Sequence, residues 1–348
     1  MGGGLVKLGF QPFCGRVAKG GVVLVAVCGL AACAKKVPEP PQPIPELVPP
    51  RVVSLELSEP LPELSPLLPL APRLRWNPVA PGEGALVLLL VEPTAGGLPV
   101  FEATATARDR ELPLADLWGG SYLGLIAAPL RTEEVPVEVS VKLIDGTDIT
   151  QNLSLHVGQR DFPATRLRVA NRFTAPDEAT LERIQREREF VRSVLRSASD
   201  TPLWEGAFLL PLKGVTTSAY GQRRLFNNEL RSQHTGLDID GDTGDPILAA
   251  NSGRVVISRD LFFNGQAVFV DHGLGFYTGY FHMSKREVSE GQWVEKGQVV
   301  GLVGATGRVT GPHLHWALYI QGAPLDPLSL LDPALTSVSE RLATPTGR

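Results

Sequence analysis

The sequence predicts a mainly β protein in which two antiparallel β domains are joined by one helix and preceded by a segment without a core of its own. Three observations carry this. Strand-like apolar runs recur from Trp76 to Val157 and again from Phe208 to Leu331. Between them, a single stretch, Pro176 to Ser199, has a helical period. The residues after Cys33 are too rich in proline to pack. At 348 residues the chain exceeds the usual single-domain size, and a hydrophobic fraction of 43% is ordinary for globular domains. The formal charge of −4 supplies no basic footprint, so no nucleic-acid partner is expected.

The N-terminus reads as an export signal, residues 1–32. Lys7, Arg16 and Lys19 form a basic region ahead of the apolar run Gly20 to Ala32. That run is well short of the roughly 20 residues a spanning helix needs. It ends in "LAAC", Leu30 to Cys33, which resembles the bacterial lipobox, so cleavage before Cys33 and lipidation of that residue are expected. The cysteines are Cys14, Cys28 and Cys33, which leaves no pair for a disulfide framework after cleavage. Cleavage would leave 30 basic against 37 acidic residues, a net charge of −7, so membrane attachment would rest on acyl chains rather than on attraction to anionic lipid.

Residues 33–75 are expected to be a tether. "VPEPPQPIPELVPP" (Val37 to Pro50) and the prolines at 60, 62, 66, 69 and 72 remove backbone donors and favour polyproline II. At ~3.1 Å per residue such a segment reaches on the order of 120 Å when fully extended. Residues 76–160 contain "GALVLLLVE", "FEATATA", "VPVEVSVKL" and "ITQNLSLHV". The last two alternate apolar and polar positions around the turn signal Asp145-Gly146, which predicts a hairpin in an immunoglobulin-like β-sandwich. His156 on the last strand is read as structural or surface. The linking segment, residues 161–206, holds the helix, with Leu181, Ile184, Val191, Val194 and Leu195 as its apolar stripe and Pro176, Asp177 and Glu178 suited to its first turn. Residues 207–332 are glycine-punctuated strands without helical periods between them, which implies an antiparallel β domain, and residues 333–348 form a tail.

Five of the six histidines, His234, His272, His282, His313 and His315, fall in that last domain. On a strand, residues i and i+2 share a face, so His313 and His315 of "HLH" project together while Leu314 and Trp316 face a core. The ends of "HTGLD", His234 and Asp238, also share a face if that segment is extended. One carboxylate and two imidazoles are the ligand set of a catalytic zinc that keeps its fourth position open. The alternative is a polar surface pair and a turn; the coincidence of both motifs in one β domain favours the metal.

On these residues, the segment from about Phe208 to Leu331 resembles the catalytic domain of the lysostaphin/LytM-type zinc metalloendopeptidases that cleave peptidoglycan. The resemblance runs through "SAYGQRR", "HTGLDI", "GDPILAANSGRVV", "VFVDHGLGFYTGYFHMS", "VSEGQWVEKGQVVGLVGATGRVTGPHLHW" and "LDPL". It implies zinc ligation by His234, Asp238 and His315, with His282 and His313 as catalytic histidines, and it places His272 at a turn outside the site. No "HExxH" glutamate is present, and an imidazole can serve as the base because it titrates near neutrality. Which histidine takes the proton stays open. Tyr220 and Tyr280 are candidates for the tyrosine that some relatives use at the oxyanion, and the "LFFNG" stretch (Leu261 to Gly265) is expected to wall the groove that selects substrate.

The expected function is that of a zinc endopeptidase of the cell envelope, lipid-anchored at the outer membrane and facing the periplasm, as Ala34 after Cys33 suggests. Its substrate would be a peptidoglycan peptide cross-link, D-alanyl–meso-diaminopimelate. The alternative is a non-hydrolytic lipoprotein of the same fold that binds the wall and activates amidases, with cell-wall or division proteins as partners. The complete set of ligands and catalytic histidines favours the hydrolase.

Overall fold

The structure, a computed structural model, describes residues 70–167, 176–197, 199, 201–226 and 229–343. The chain divides into two compact units, Met1–Glu63 and Leu64–Arg348, and every described residue belongs to the second. The expected export signal, Cys33, the tether up to residue 69, residues 168–175 of the linking segment and the last five residues of the tail lie outside the described residues. Among the described residues, no helix is long and apolar enough to cross a membrane.

Eight strands come first: β1 (Arg73–Asn77), β2 (Ala85–Glu92), β3 (Val100–Ala107), β4 (Arg110–Leu112), β5 (Leu114–Asp116), β6 (Tyr122–Ala128), β7 (Glu134–Leu143) and β8 (Asp148–His156). They form two four-stranded antiparallel sheets, in the orders β1-β2-β6-β5 and β4-β3-β7-β8. The alternation in β7 is what a sheet with one buried face requires: Val135, Val137, Val139, Val141 and Leu143 enter the core and the residues between them do not. β7 turns into β8 through Asp145-Gly146, with Gly146 in the left-handed region at φ 88° and the Asp145 side chain accepting from the Thr147 N–H.

β2 obeys a different rule. Val87, Leu89 and Val91 join the core between the two sheets, whereas Leu86 and Leu88 join a second core with Leu318, Ile320 and Leu325 of the C-terminal domain. Both faces of this strand are covered, so its text is continuously apolar rather than alternating. The N-terminal sandwich and the C-terminal domain therefore share a hydrophobic core.

The linking segment opens with β9 (Ala164–Leu167) and continues into helix α1 (Glu178–Leu195). Asp177 caps α1, accepting from the Thr180 N–H at 2.8 Å. Ile184 and Leu195 are buried, and Val191 and Val194 pack with Leu195 against Ile257, Phe269, Tyr277 and Phe281. Leu181, expected on the apolar stripe, is 52% exposed. The N-terminal turns of α1 are held by polar contacts instead, Arg183 to Asp260 and the Glu187 carboxylate to the Phe262 N–H, so the apolar stripe begins a turn later than the sequence suggests.

The C-terminal domain contains β10 (Thr216–Ser218), β11 (Arg223–Phe226), β12 (Glu229–Gln233), β13 (Leu237–Asp240), β14 (Pro246–Leu248), β15 (Gly253–Leu261), β16 (Gly265–Asp271), β17 (Phe276–Met283), β18 (Lys285–Arg286), β19 (Trp293–Val294), β20 (Val299–Leu302), β21 (His313–Ile320) and β22 (Ala323–Leu325), and then helix α2 (Pro333–Ala343). Its main sheet runs β10-β13-β21-β17-β16-β15-β19, with β22 beside β21. Two small sheets flank it, β14-β20-β18 and β12-β11-β9. The pairings are antiparallel except that of β9 with β11, which is parallel and sets Arg224 opposite Thr165. α1 covers one face of the main sheet, and the core shared with the sandwich covers the other.

Candidate metal centre

The centre is assembled around β21, whose neighbours are β13 and β17. Strand register places Asp238 directly opposite His315 and Asp240 opposite His313, so the side chains of each pair emerge on one face at close range. Leu314 and Trp316, the alternate residues of β21, are fully buried in the core behind it. The spacing of "HLH" thus turns two imidazoles to one side while their neighbours anchor the strand.

His234, Asp238 and His315 converge. His234 Nε2 lies 2.9 Å from His315 Nδ1 and 2.9 Å from Asp238 Oδ1, and His315 Nδ1 lies 2.7 Å from the same Oδ1. All three are buried, and their ligand atoms form a group able to hold a metal ion. The donor set fits a cation on chemical grounds. His234 Nδ1 gives its hydrogen to Ala219 O at 2.9 Å, which leaves a lone pair on Nε2 aimed at a carboxylate oxygen. Two acceptors facing each other at that distance call for a positive charge between them. The other oxygen of Asp238 accepts from Arg224 Nη2 at 2.8 Å, so the carboxylate is oriented from behind.

The electrostatics agree. Burial alone would raise the Asp238 pKa, but the closeness of His234 and His315 holds it well below the usual carboxylate range. Burial pushes His315 down to about 4, which keeps its imidazole neutral and available as a ligand.

His282 and His313 flank this group, with ring centroids 5.0 Å apart, and the His282 ring is 5.9 Å from that of His315. Each donates through Nδ1 to a backbone carbonyl, His282 to Thr306 O and His313 to Gly311 O, both at 2.9 Å. That leaves Nε2 of each as a proton acceptor, and His313 Nε2 is 3.7 Å from Asp238 Oδ1. His282 has φ 65°, a left-handed conformation uncommon outside glycine, stabilised by its N–H donating to Asn264 O. Burial, and after it the neighbouring His315 and His313, holds its pKa well below the ordinary value.

Gly236 is required by close approach. A Cβ there would meet His315 Nε2 at 2.4 Å and Trp316 O at 2.5 Å. Gly236→Ala is expected to push the His315 ring out of register and weaken metal affinity by about 10- to 100-fold, the size of effect seen when a ligand loses its orienting contacts. Competition against a chelating dye reads this directly; an unchanged affinity would show that the ring has room to shift.

His272 and His156 lie elsewhere. His272 sits between β16 and β17, as a turn residue should, but it is fully buried, with Nδ1 on Ser252 O at 2.7 Å and Nε2 on Thr278 Oγ1 at 2.8 Å. Burial lowers its pKa to about 4 from 6.5. Between those values the unfolded chain binds a proton that the folded chain does not, so this contribution is intact above pH 6.5 and is lost as pH falls towards 4. Between pH 6.5 and pH 4, the unfolding free energy of the wild type is expected to fall about 3 kcal/mol further than that of His272→Gln. Parallel pH profiles for the two would contradict this. His156 ends β8 in the sandwich and is exposed.

The tyrosine candidates are not at the centre. The Tyr280 oxygen is buried against the Ala250 N–H and Thr278 Oγ1, and the Tyr220 hydroxyl donates to Pro324 O. Both rings are buried, Tyr280 in the core behind β17 and Tyr220 at the turn between β10 and β11, which the one-letter pattern does not reveal. Sequence reasoning also missed the supports behind the His/Asp/His group: Arg224 on Asp238, and a chain from Thr165 through Gln222 and Ser218 to His234 Nδ1. "SAYGQRR" contained most of these residues, but only the pairing of β11 with β9 gives them direction. The "LFFNG" hairpin stands beside the centre, with Asn264 O and Phe263 O accepting from the His282 and Arg308 N–H groups. A groove of about 360 Å³ opens along Asp238, His282 and His313, with Arg224, Arg308 and Thr217 on its walls.

Residues 232–327, which include His234, Asp238, His282, His313 and His315, match peptidase family M23. Over 126 residues, 36% of this chain, the sequence is 38% identical to peptidoglycan DD-endopeptidase ShyA of Vibrio cholerae, covering 29% of that protein. Over 100 residues, 29% of this chain, it is 40% identical to the DD-carboxypeptidase/endopeptidase Mpg of Neisseria meningitidis, covering 23% of that protein. The chain thus spans less than a third of the length of these curated relatives. A Pseudomonas aeruginosa crystal structure assigned to peptidase M23 shares the fold more widely, with a TM-score of 0.54 and 29% identity over 73% of this chain and 95% of that one. Within the C-terminal β domain, the segment that matches peptidase family M23 is thus the one built around a His/Asp/His group that can hold a metal.

Proposed function

We propose that the protein is a zinc-dependent endopeptidase that hydrolyses peptide cross-links of peptidoglycan, with D-alanyl–meso-diaminopimelate as the bond cleaved. One observation carries the reading. Three donor atoms of His234, Asp238 and His315 converge on a point, and two further imidazoles present Nε2 lone pairs beside it. The names of the Vibrio and Neisseria relatives, both peptidoglycan or DD-peptide hydrolases, support the substrate class.

His234 Nε2, Asp238 Oδ1 and His315 Nδ1 would hold the zinc, which when bound acidifies water towards neutrality and polarises the scissile carbonyl. Of His282 and His313, one takes the proton of the attacking water on Nε2 and the other, protonated there, hydrogen-bonds the developing oxyanion. Fixing each Nδ1 on a backbone carbonyl sets both tautomers in advance. Arg224 and the Ser218–Gln222–Thr165 chain orient the ligands from behind. Lipidation at Cys33 anchors the chain at the outer membrane, and the proline-rich tether lets the catalytic domain reach the wall from the periplasmic side.

The test is digestion of purified sacculi by zinc-loaded protein with chromatography of the released muropeptides. Loss of cross-linked dimers, with the new amino group on diaminopimelate, is expected. Unchanged dimers with zinc bound would overturn the hydrolase and favour the amidase-activating role.

A further inference from the structure

We infer that the segment leading out of the N-terminal sandwich, residues 158–167, belongs to the support of the metal centre: docked along β11, it positions His234 and Asp238 and so sets the metal affinity of the site. The inference rests on the reading of His234, Asp238 and His315 as metal ligands. It adds a coupling between the two domains that runs through Phe162 and Thr165 as positioning residues.

The segment is fastened along its length. The Gly158 N–H donates to Pro81 O at 2.8 Å, beside a bridge to Gly82. Glu83, itself buried, accepts from the Arg160 N–H at 3.1 Å, and the Arg160 guanidinium donates to Glu83 O at 2.9 Å. The Phe162 ring is buried directly on the backbone of Gly221, where φ is 81° and no space remains for a Cβ. Arg223 then holds the chain from β11, its backbone N–H donating to Pro163 O at 2.9 Å and its Nε to Phe162 O at 3.0 Å. β9 follows in the parallel pairing that sets Thr165 opposite Arg224.

The supports of the His/Asp/His group start from this stretch of β11 and the turn before it. Gln222 donates through Nε2 to Thr165 Oγ1 and accepts from Ser218 Oγ on Oε1. With its hydrogen committed to Gln222, Ser218 Oγ turns a lone pair to His234 Nδ1 at 3.1 Å, and Ala219 O accepts from the same nitrogen at 2.9 Å. Arg224, two residues further on, donates to Asp238 Oδ2 at 2.8 Å. Two members of the group are therefore oriented by side chains whose backbone is held on one side by the linking segment. Outer partners of this kind change metal affinity by about 10- to 100-fold. By reciprocity, metal binding must favour docking of the segment by the same factor that docking favours metal.

The experiment measures zinc affinity of the full chain by competition against a chelating dye. Thr165→Val keeps the side-chain volume, removes the acceptor of Gln222 and is expected to weaken binding about 10-fold, while Thr165→Ser should stay within about threefold of the wild type. Phe162→Ala loosens the segment over Gly221 and should cost about 10- to 100-fold, because Gln222 and Arg224 lose their position together. Val141→Ala, in the sandwich core near the β7–β8 turn, removes buried volume without touching the segment and should leave affinity unchanged. Unchanged affinity in Thr165→Val or Phe162→Ala, failure of serine to rescue, or an equal loss in Val141→Ala would overturn the inference. Muropeptide release from sacculi is followed in the same samples. Affinity that depends on the segment, without cleavage, would sink the hydrolase and leave the coupling standing, whereas cleavage with affinity indifferent to the segment would do the reverse.

Discussion

Replacing Asp238 by alanine is expected to strip the metal from the protein and take cross-link cleavage to background. The residue contributes the one anionic donor of the set, and its Oδ1 is the atom on which His234 and His315 both close, at 2.9 and 2.7 Å. Without it two neutral imidazoles remain, and Arg224, whose Nη2 had donated to the other oxygen, is left as a largely buried cation beside the metal position. Loss of a ligand exceeds the 10- to 100-fold cost of losing an outer partner, so affinity should fall by more than about 100-fold. Metal analysis after dialysis measures it, with near-ultraviolet circular dichroism confirming that the fold persists. Retention of one metal per chain would remove Asp238 from the ligand set.

His313→Ala is expected to separate metal binding from chemistry. Its Nδ1 is committed to Gly311 O, and its Nε2 stands 3.7 Å from Asp238 Oδ1, beside the donor cluster rather than within it. The variant should keep its metal while kcat drops by about 10²- to 10⁴-fold, the range for losing a positioned proton-transfer group. Because the substrate-binding wall is otherwise intact, KM should change far less. Loss of metal would reassign His313 as a ligand, and an unchanged kcat would remove it from proton transfer.

The features legible in the sequence are those that depend on local period. The two-residue spacing in "HLH" predicted that His313 and His315 share a face with Leu314 behind them, and β21 shows that arrangement with Leu314 fully buried. Alternation likewise marked β7 and β8, and Asp145-Gly146 marked the turn between them. The features that were not legible depend on partners distant in sequence. β2 reads as a continuous apolar run because it is covered on both faces, one of them by residues more than 200 positions away. The parallel pairing of β9 with β11 has no local signature, yet it brings Thr165 to Gln222 behind the His/Asp/His group. Tyr280 looked available for the oxyanion because composition cannot tell which face of β17 a ring occupies, and that ring faces the core. Leu181 fits the helical stripe, but the first turn of α1 is left uncovered.

If one zinc ion held by His234, Asp238 and His315 makes this domain a cross-link hydrolase, metal content and cleavage must rise together. The decisive experiment titrates the metal-free full chain with zinc and reads bound metal and release of cross-linked muropeptides from sacculi in the same samples. Cleavage is expected to increase in proportion to bound zinc and to saturate at one ion per chain. Cleavage by the metal-free chain, or saturation with zinc and no cleavage, would contradict the zinc hydrolase.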